Sequence, residues 1–72
     1  MDDITVTTRK ELLAEITKAE EHAVICFVAG NEFPLRTSER AAFSEDLRGG
    51  FPSKNLTIAY IAYRRQIRVT VD

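Results

Sequence analysis

Seven consecutive apolar residues at positions 23–29 constrain the fold of this chain more than any other stretch. The run has β-branched and aromatic residues at its centre, and Gly30 and Asn31 close it. A strand that is apolar on both of its alternating faces is typical of the interior of a sheet whose two faces are covered. The run therefore predicts the central strand of a small sheet.

Length and charge limit the classes of protein that fit. The chain has 72 residues, 44% of them hydrophobic and 29% charged, as expected for one globular domain. A single core of this size contributes about 3–5 kcal/mol of net stability, so self-association is a reasonable expectation. Ten basic and eleven acidic residues give a net charge of −1, so no overall field attracts nucleic acid or an anionic membrane.

The sequence predicts a cytoplasmic protein. Its single cysteine cannot form an internal disulfide, which is typical of a reducing compartment. The longest apolar run is far below the roughly 20 residues needed to cross a bilayer. The acidic start of the chain is not followed by an apolar stretch of the kind found in secretory signals. We therefore expect no membrane association.

The first strand and the first helix follow from local patterns. Residues 4–7 alternate apolar and polar, which predicts a short strand at or near an edge of the sheet. Thr8 and Glu11 form a capping box, in which the hydroxyl and the carboxylate satisfy free N–H groups of a first helical turn. This pattern predicts a helix over residues 8–22. The buried face of this helix is expected to consist of Leu12, Leu13, Ile16 and Ala19.

A second helix is predicted after a loop at residues 30–36, where glycine, asparagine and proline occur together. A threonine or serine at positions 37–38 can cap it. We expect this helix to be shorter than the first, and residues 49–50, both glycine, to end it with positive φ angles while Phe51 folds back on it. Its apolar face is expected to consist of Ala41, Ala42, Phe43 and Leu47.

The C-terminal part of the chain contains two β-prone runs. Residues 56–63 form the first, and Ile67, Val69 and Val71 alternate with polar residues in the second. The break at residues 64–66 lacks Gly, Asn and Asp, so a tight two-residue turn is poorly supported. A hairpin is the favoured interpretation, and one long strand with a bulged bend is the alternative.

Together these elements predict a small single α/β domain with the order β-α-β-α-β-β. Right-handed helical crossovers make the early strands parallel, and the last two strands are antiparallel, so the sheet is mixed. Both a three-layer and an open two-layer arrangement fit the pattern.

The layout resembles the N-terminal half of the thioredoxin fold over residues 4–63. The central strand of thioredoxins ends in Phe-Trp-Ala, and Trp-Cys-Gly-Pro-Cys-Lys follows it at the start of the next helix. In this chain residues 27–29 are Phe-Val-Ala, and residues 32–36 are Glu-Phe-Pro-Leu-Arg, with the proline at the same spacing. Glu32 and Leu35 stand where the family has its two redox cysteines. The resemblance therefore implies a scaffold that cannot exchange disulfides from this loop.

The second half of that family's fold has no counterpart after Tyr63. The resemblance thus implies that one face of the sheet can lack its helix, and an apolar patch left open there would favour a partner or a dimer.

The preferred contact surface is the loop at residues 32–36, because loops at this corner of such sheets commonly carry function. It offers an aromatic and an aliphatic side chain beside charges, and its contact residues are expected to be Glu32, Phe33, Leu35 and Arg36. The alternative interpretation is that Phe33 and Leu35 cover the core beneath the loop.

A second candidate surface combines basic and aromatic residues near the C-terminus. It consists of Tyr63, Arg64, Arg65 and Arg68, with Tyr60 nearby. Such a patch can bind phosphates and stack on bases. The simpler interpretation is a solvated strand end whose charges protect an edge from aggregation.

His22 and Cys26 are isolated side chains with possible chemistry. His22 lies at the predicted helix end, where an imidazole interacts favourably with the last carbonyls; a ligand or general base is the alternative. Cys26 lies in the apolar run and is expected to be a small core residue. One histidine and one cysteine give no metal-ligand spacing, and neither a phosphate-binding loop nor a Ser-His-acid set is present. We expect no metal, no cofactor and no catalysis.

The sequence thus favours a non-enzymatic interaction module, a redox-inactive thioredoxin-like scaffold that binds a protein partner or itself. A small chain without cofactor motifs fits a bacterial or phage accessory factor. Weak nucleic-acid binding through the C-terminal arginines is the alternative function.

Overall fold

The computed structural model describes residues 3–72 and confirms an α/β domain with the element order β-α-β-α-β-β. Two short 3₁₀ turns, Gly30–Glu32 and Ala62–Arg64, lie in the connections. Within residues 3–72 no helix has the length and apolar character needed to span a membrane. The elements are β1 (Ile4–Val6), α1 (Arg9–Lys18), β2 (Val24–Val28), α2 (Thr37–Gly50), β3 (Leu56–Ile61) and β4 (Gln66–Val71).

The four strands form one mixed sheet in the order β1-β2-β4-β3. β2 pairs in parallel with β1 and antiparallel with β4, so the apolar run forms an inner strand as predicted. β1 lies at an edge, also as predicted. The predicted hairpin is confirmed, since β3 and β4 pair antiparallel from Leu56 opposite Val71 to Ile61 opposite Gln66. β4 lies between β2 and β3, so the last strand is an inner one.

Both helices pack on the same face of the sheet. β1, β2 and β3 are parallel to one another, and the chain moves across the sheet in the same direction from β1 to β2 and from β2 to β3. Since both crossovers are right-handed, α1 and α2 lie on the same side of the sheet. The structure is therefore the open two-layer arrangement. The buried core joins helix residues to one face of the strands: Leu12, Ile16, Phe43 and Leu47 pack with Val6, Ile25, Phe27, Leu56, Ile67, Val69 and Val71.

The opposite face of the sheet carries none of the described helices. One row across it reads Thr5, Cys26, Arg68 and Ala59. Cys26 is buried but lies outside the helix-covered core cluster. We expected both faces of the central strand to be covered. This is wrong at the C-terminal end of β2, where Val28 lies on the helix-free face and is exposed.

Helix α1 begins as predicted and ends earlier than predicted. The Thr8 Oγ1 accepts a hydrogen bond from the Glu11 backbone N–H at 3.1 Å, and the Thr8 hydroxyl donates to the Glu11 carboxylate at 3.2 Å. The helix stops at Lys18, short of residue 22. His22 adopts a left-handed φ of 67° beyond the helix end, and its backbone N–H donates to the Val71 carbonyl at 2.6 Å.

A lysine from a distant loop caps the end of α1. The Lys54 ammonium donates to the carbonyl oxygens of Ile16, Thr17 and Ala19, the last two at 2.8 and 3.3 Å. A cation at this position satisfies free carbonyls and faces the negative end of the helix dipole. Lys54 therefore stabilises the C-terminal end of α1 from a distant part of the chain.

Lys54→Met is expected to lower the free energy of unfolding by about 1–2 kcal/mol, because it removes charged hydrogen bonds and leaves helix carbonyls unsatisfied. Urea denaturation followed by circular dichroism measures the loss. Lys18→Met is the matched control, since Lys18 forms an exposed ion pair with Glu15 at 3.1 Å, and its loss is expected to change stability by no more than about 0.5 kcal/mol. Equal effects of the two substitutions would contradict the capping role.

Helix α2 corrects three expectations. It has 14 residues and is longer than α1, which has 10. Residues 49–50 are helical, and Gly30 is the glycine with a positive φ. Phe51 is half-buried and packs against the core. The N-cap is Arg36 without a side-chain bond, and the Glu39 carboxylate instead accepts the Leu35 N–H at 3.2 Å.

Candidate functional site

A concavity lies between the loop after β2 and the two helices. It is open to solvent and has a volume of about 420 Å³. An adjoining depression of about 290 Å³ continues along the seam between α1 and α2 and shares Arg9, Phe43 and Asp46 with it. We call the two together the interhelix groove. The first part is lined mainly by loop residues 31–35 with Glu39 and Ala42, and the second by Leu12, Leu13, Leu47 and Gly50.

The loop that forms one wall of the groove is held by hydrogen bonds to α2. The Arg40 guanidinium donates to the carbonyl oxygens of Pro34 at 3.2 Å and Leu35 at 3.3 Å. The Leu35 N–H is bound by Glu39, as described above. Because three backbone groups on two consecutive residues are satisfied by the helix, the Leu35 backbone has a defined position. Its side chain is nevertheless 64% exposed.

Phe33 anchors this loop to the core. Its side chain is only 4% exposed and meets the Tyr60 ring edge to face, with the ring centroids 6.3 Å apart. The guanidinium groups of Arg40 and Arg65 lie 5.7 and 5.6 Å from the centre of the Phe33 ring. The Tyr60 hydroxyl donates to the Arg40 carbonyl at 2.6 Å. Phe33 therefore follows the interpretation in which the side chain covers the core, and the exposure expected of it is not observed.

The other predicted contact residues lie at the surface. Leu35 is exposed, in contrast to Phe33, so it does not cover the core beneath the loop. Glu32 is exposed in the wall of the groove. Arg36 is exposed and lies 3.6 Å from the Glu39 carboxylate.

The groove combines an aromatic floor with charges at its rim. The Arg9 guanidinium lies over the Phe43 ring, 5.0 Å from its centre. The carboxylates of Glu32, Glu39 and Asp46 line the same concavity. The Glu39 carboxylate already pairs with Arg36. The carboxylates of Glu32 and Asp46 therefore remain beside the Arg9 guanidinium, and an apolar group next to a positive charge would complement them.

Sequence reasoning missed the helix residues of this groove. Leu13 was expected in the buried face of α1, but it is 45% exposed and lines the groove. The sequence contained a signal for this exposure. Leu12 and Leu13 are adjacent, so the apolar face of the ten-residue helix is wider than the side that packs on the sheet. Arg9 and Asp46 carried no sequence signal, since they are charged residues on the polar sides of their helices.

The structure divides the second candidate surface. Tyr63 is 84% exposed at the hairpin tip, and the Arg64 guanidinium lies 5.5 Å from the centre of its ring. Arg65 turns away and donates to the Gly30 carbonyl. Arg68 projects from the helix-free face of the sheet and pairs with the Asp3 carboxylate at 3.0 Å. Two of the four predicted residues therefore lie together, and the other two have intramolecular partners.

Among residues 3–72, no three His, Cys, Asp or Glu side chains are grouped so that they could hold a metal ion. Comparison of the chain with protein families, with curated proteins and with solved structures found no match.

Proposed function

We propose that this protein is a non-enzymatic interaction module, a thioredoxin-like scaffold without the redox cysteines, and that it binds a segment of a partner protein in the interhelix groove. The observation that carries the proposal is the exposed Leu35 side chain on a hydrogen-bonded backbone beside the groove. An ordered loop loses little conformational entropy on binding, which favours affinity.

The shape of the groove supports a peptide ligand. Exposed leucines stand at both ends, Leu35 in the first part and Leu13 in the second, and the Phe43 ring lies in both. Large apolar side chains grouped around a concavity are typical of interaction sites. An extended or helical segment with an aliphatic residue can contact these side chains along the seam between the helices.

The charges specify the segment further. Glu32 and Asp46 lie beside the apolar contacts, and the Arg9 guanidinium is positioned by the Phe43 ring. A lysine or arginine next to the aliphatic residue complements these carboxylates. The proposed partner segment therefore carries an aliphatic residue flanked by a basic one.

Selection of a phage-displayed random peptide library against the wild-type protein tests this function. We expect the enriched peptides to share an aliphatic residue next to lysine or arginine. The affinity of a synthetic copy, measured by fluorescence anisotropy, is expected to fall about tenfold or more in Leu35→Ala, because a central apolar contact contributes at least about 1.4 kcal/mol to binding.

Val28→Ala is the matched control for this measurement. Val28 is also an exposed aliphatic residue, but it lies on the helix-free face of the sheet, so its truncation is expected to leave peptide affinity unchanged. Failure to enrich any common motif, or equal losses in the two variants, would contradict the proposal.

Weak nucleic-acid binding is the alternative proposal, and it rests on Tyr63 and Arg64 at the hairpin tip. Under this alternative, anisotropy of a labelled single-stranded oligonucleotide falls steeply with added salt and is lost in Arg64→Glu. Under the groove proposal, the oligonucleotide does not bind at physiological salt, and Arg64→Glu leaves peptide affinity unchanged.

A further inference from the structure

Strand β3 is an edge strand that lacks the sequence features that usually prevent pairing with a strand of another chain. Its sequence, residues 56–61, contains no charge, no proline and no glycine. It pairs with β4 in unbroken register, without a bulge, and no other strand described by the structure pairs with its outer side. The opposite edge strand, β1, has only three residues. Natural edge strands usually carry charges, prolines or bulges, or are very short, which prevents other chains from pairing with them.

The direction of the backbone groups on β3 follows from one hydrogen bond. The Asp72 N–H donates to the Asn55 carbonyl at 2.8 Å, so Asn55 directs its backbone groups towards β4. In an antiparallel ladder this direction alternates from residue to residue. The backbone N–H and C=O groups of Leu56, Ile58 and Tyr60 therefore point away from the sheet, to the open edge.

We propose that a second copy of this chain pairs antiparallel with β3 about a two-fold axis at Ile58. In this register Ile58 lies opposite Ile58 of the other copy, and Leu56 lies opposite Tyr60. Every outward-pointing N–H and C=O group of the three residues then meets a complementary group of the other copy. This match arises because the two-fold axis reverses the strand direction while both strands have outward-pointing groups at every second residue. The two sheets join into one of eight strands, four from each copy.

The side chains support this register. Residues opposite each other in an antiparallel pair share a face, so Leu56, Ile58 and Tyr60 of both copies lie on the helix-covered side. Ile58 and Tyr60 are half-buried in one copy and pack against its core, so pairing extends the apolar layer across the junction. None of the residues that line the interhelix groove belongs to β3, so this interface does not overlap the proposed partner site.

Thr57→Lys/Ala59→Lys tests the interface. Both side chains are exposed on the helix-free face, so the core of one copy is not altered. In the proposed register residue 57 of one copy faces residue 59 of the other, so the double variant places lysines opposite lysines, and like charges in directly opposed positions destabilise pairing.

Sedimentation equilibrium across protein concentrations is the measurement. We expect the wild-type protein to form dimers, and the dissociation constant of the double variant to rise at least tenfold while its far-UV circular dichroism stays unchanged. Leu35→Ala is expected to dimerise like the wild type. A wild-type protein that stays monomeric to about millimolar concentration, or a dimer indifferent to the lysines, would overturn the proposal.

A cross-link tests the register separately. Thr57→Cys and Ala59→Cys variants, mixed under oxidising conditions, are expected to form a disulfide-linked heterodimer, because directly opposed non-hydrogen-bonded residues have Cα atoms about 4.5 Å apart. Each variant alone places its cysteines diagonally, about 7–8 Å apart, and is expected to cross-link poorly. Dimers that fail to cross-link in the mixture would refute the Ile58 axis.

Discussion

Phe27→Ala is expected to reduce the free energy of unfolding to near zero, so that a large fraction of the molecules is unfolded at 25 °C. Phe27 is fully buried in the inner strand β2, and its ring lies parallel to the Phe43 ring with the centroids 6.2 Å apart. Truncation of a buried phenylalanine costs about 3–5 kcal/mol, since both apolar burial and the contacts around the new cavity are lost. This cost is as large as the net stability of about 3–5 kcal/mol expected for one core of this size.

Circular dichroism in a urea series measures this effect, and the adjacent residue supplies the control. Val28 has the opposite orientation in the same strand and is 38% exposed, so Val28→Ala is expected to change the free energy of unfolding by no more than about 0.5 kcal/mol. A Phe27→Ala variant that unfolds at the wild-type urea concentration would contradict the packing described for the core.

Phe33→Ala is expected to lower the free energy of unfolding by about 3 kcal/mol. The substitution leaves a cavity beneath the loop and removes the aromatic surface that contacts Tyr60, Arg40 and Arg65. Leu35→Ala, two residues away, removes a side chain that is mostly in solvent, and its effect is expected to stay within about 0.5 kcal/mol. The urea midpoints of the two variants give the comparison.

The contrast between these two variants decides how the loop is tested for binding. A loss of partner binding in Phe33→Ala reports unfolding as well as contact, whereas a loss in Leu35→Ala reports contact. A Phe33→Ala variant with wild-type stability would contradict the anchoring role of Phe33.

Several features of the fold could be predicted because they depend on residues close together in the chain. The Thr8–Glu11 cap spans one helical turn, and its hydrogen bonds form as expected. Alternate residues of a strand lie on the same face, so the apolar residues Ile67, Val69 and Val71 are predicted to share the buried face, and all three side chains are buried.

Other features could not be predicted because they join distant residues. Lys54 caps the C-terminal end of α1, and the loop before α2 is held against the hairpin by Arg65, which donates to the Gly30 carbonyl. The candidate site was predictable only in its loop. Its other wall brings Arg9 of α1 and Asp46 of α2 to the same groove, and neither residue has a local pattern that distinguishes it.

Local patterns in the sequence are enough to predict the type and order of the elements, the start of α1 and the inner position of the run at 23–29, since capping, turn chemistry and apolar periodicity act over a few residues. The position of β4 between β2 and β3, the shared face of the two helices and the burial of Phe33 beside the exposed Leu35 follow only from the folded chain. Strand order and side-chain burial depend on which distant surfaces pack together, and this packing is a property of the whole chain.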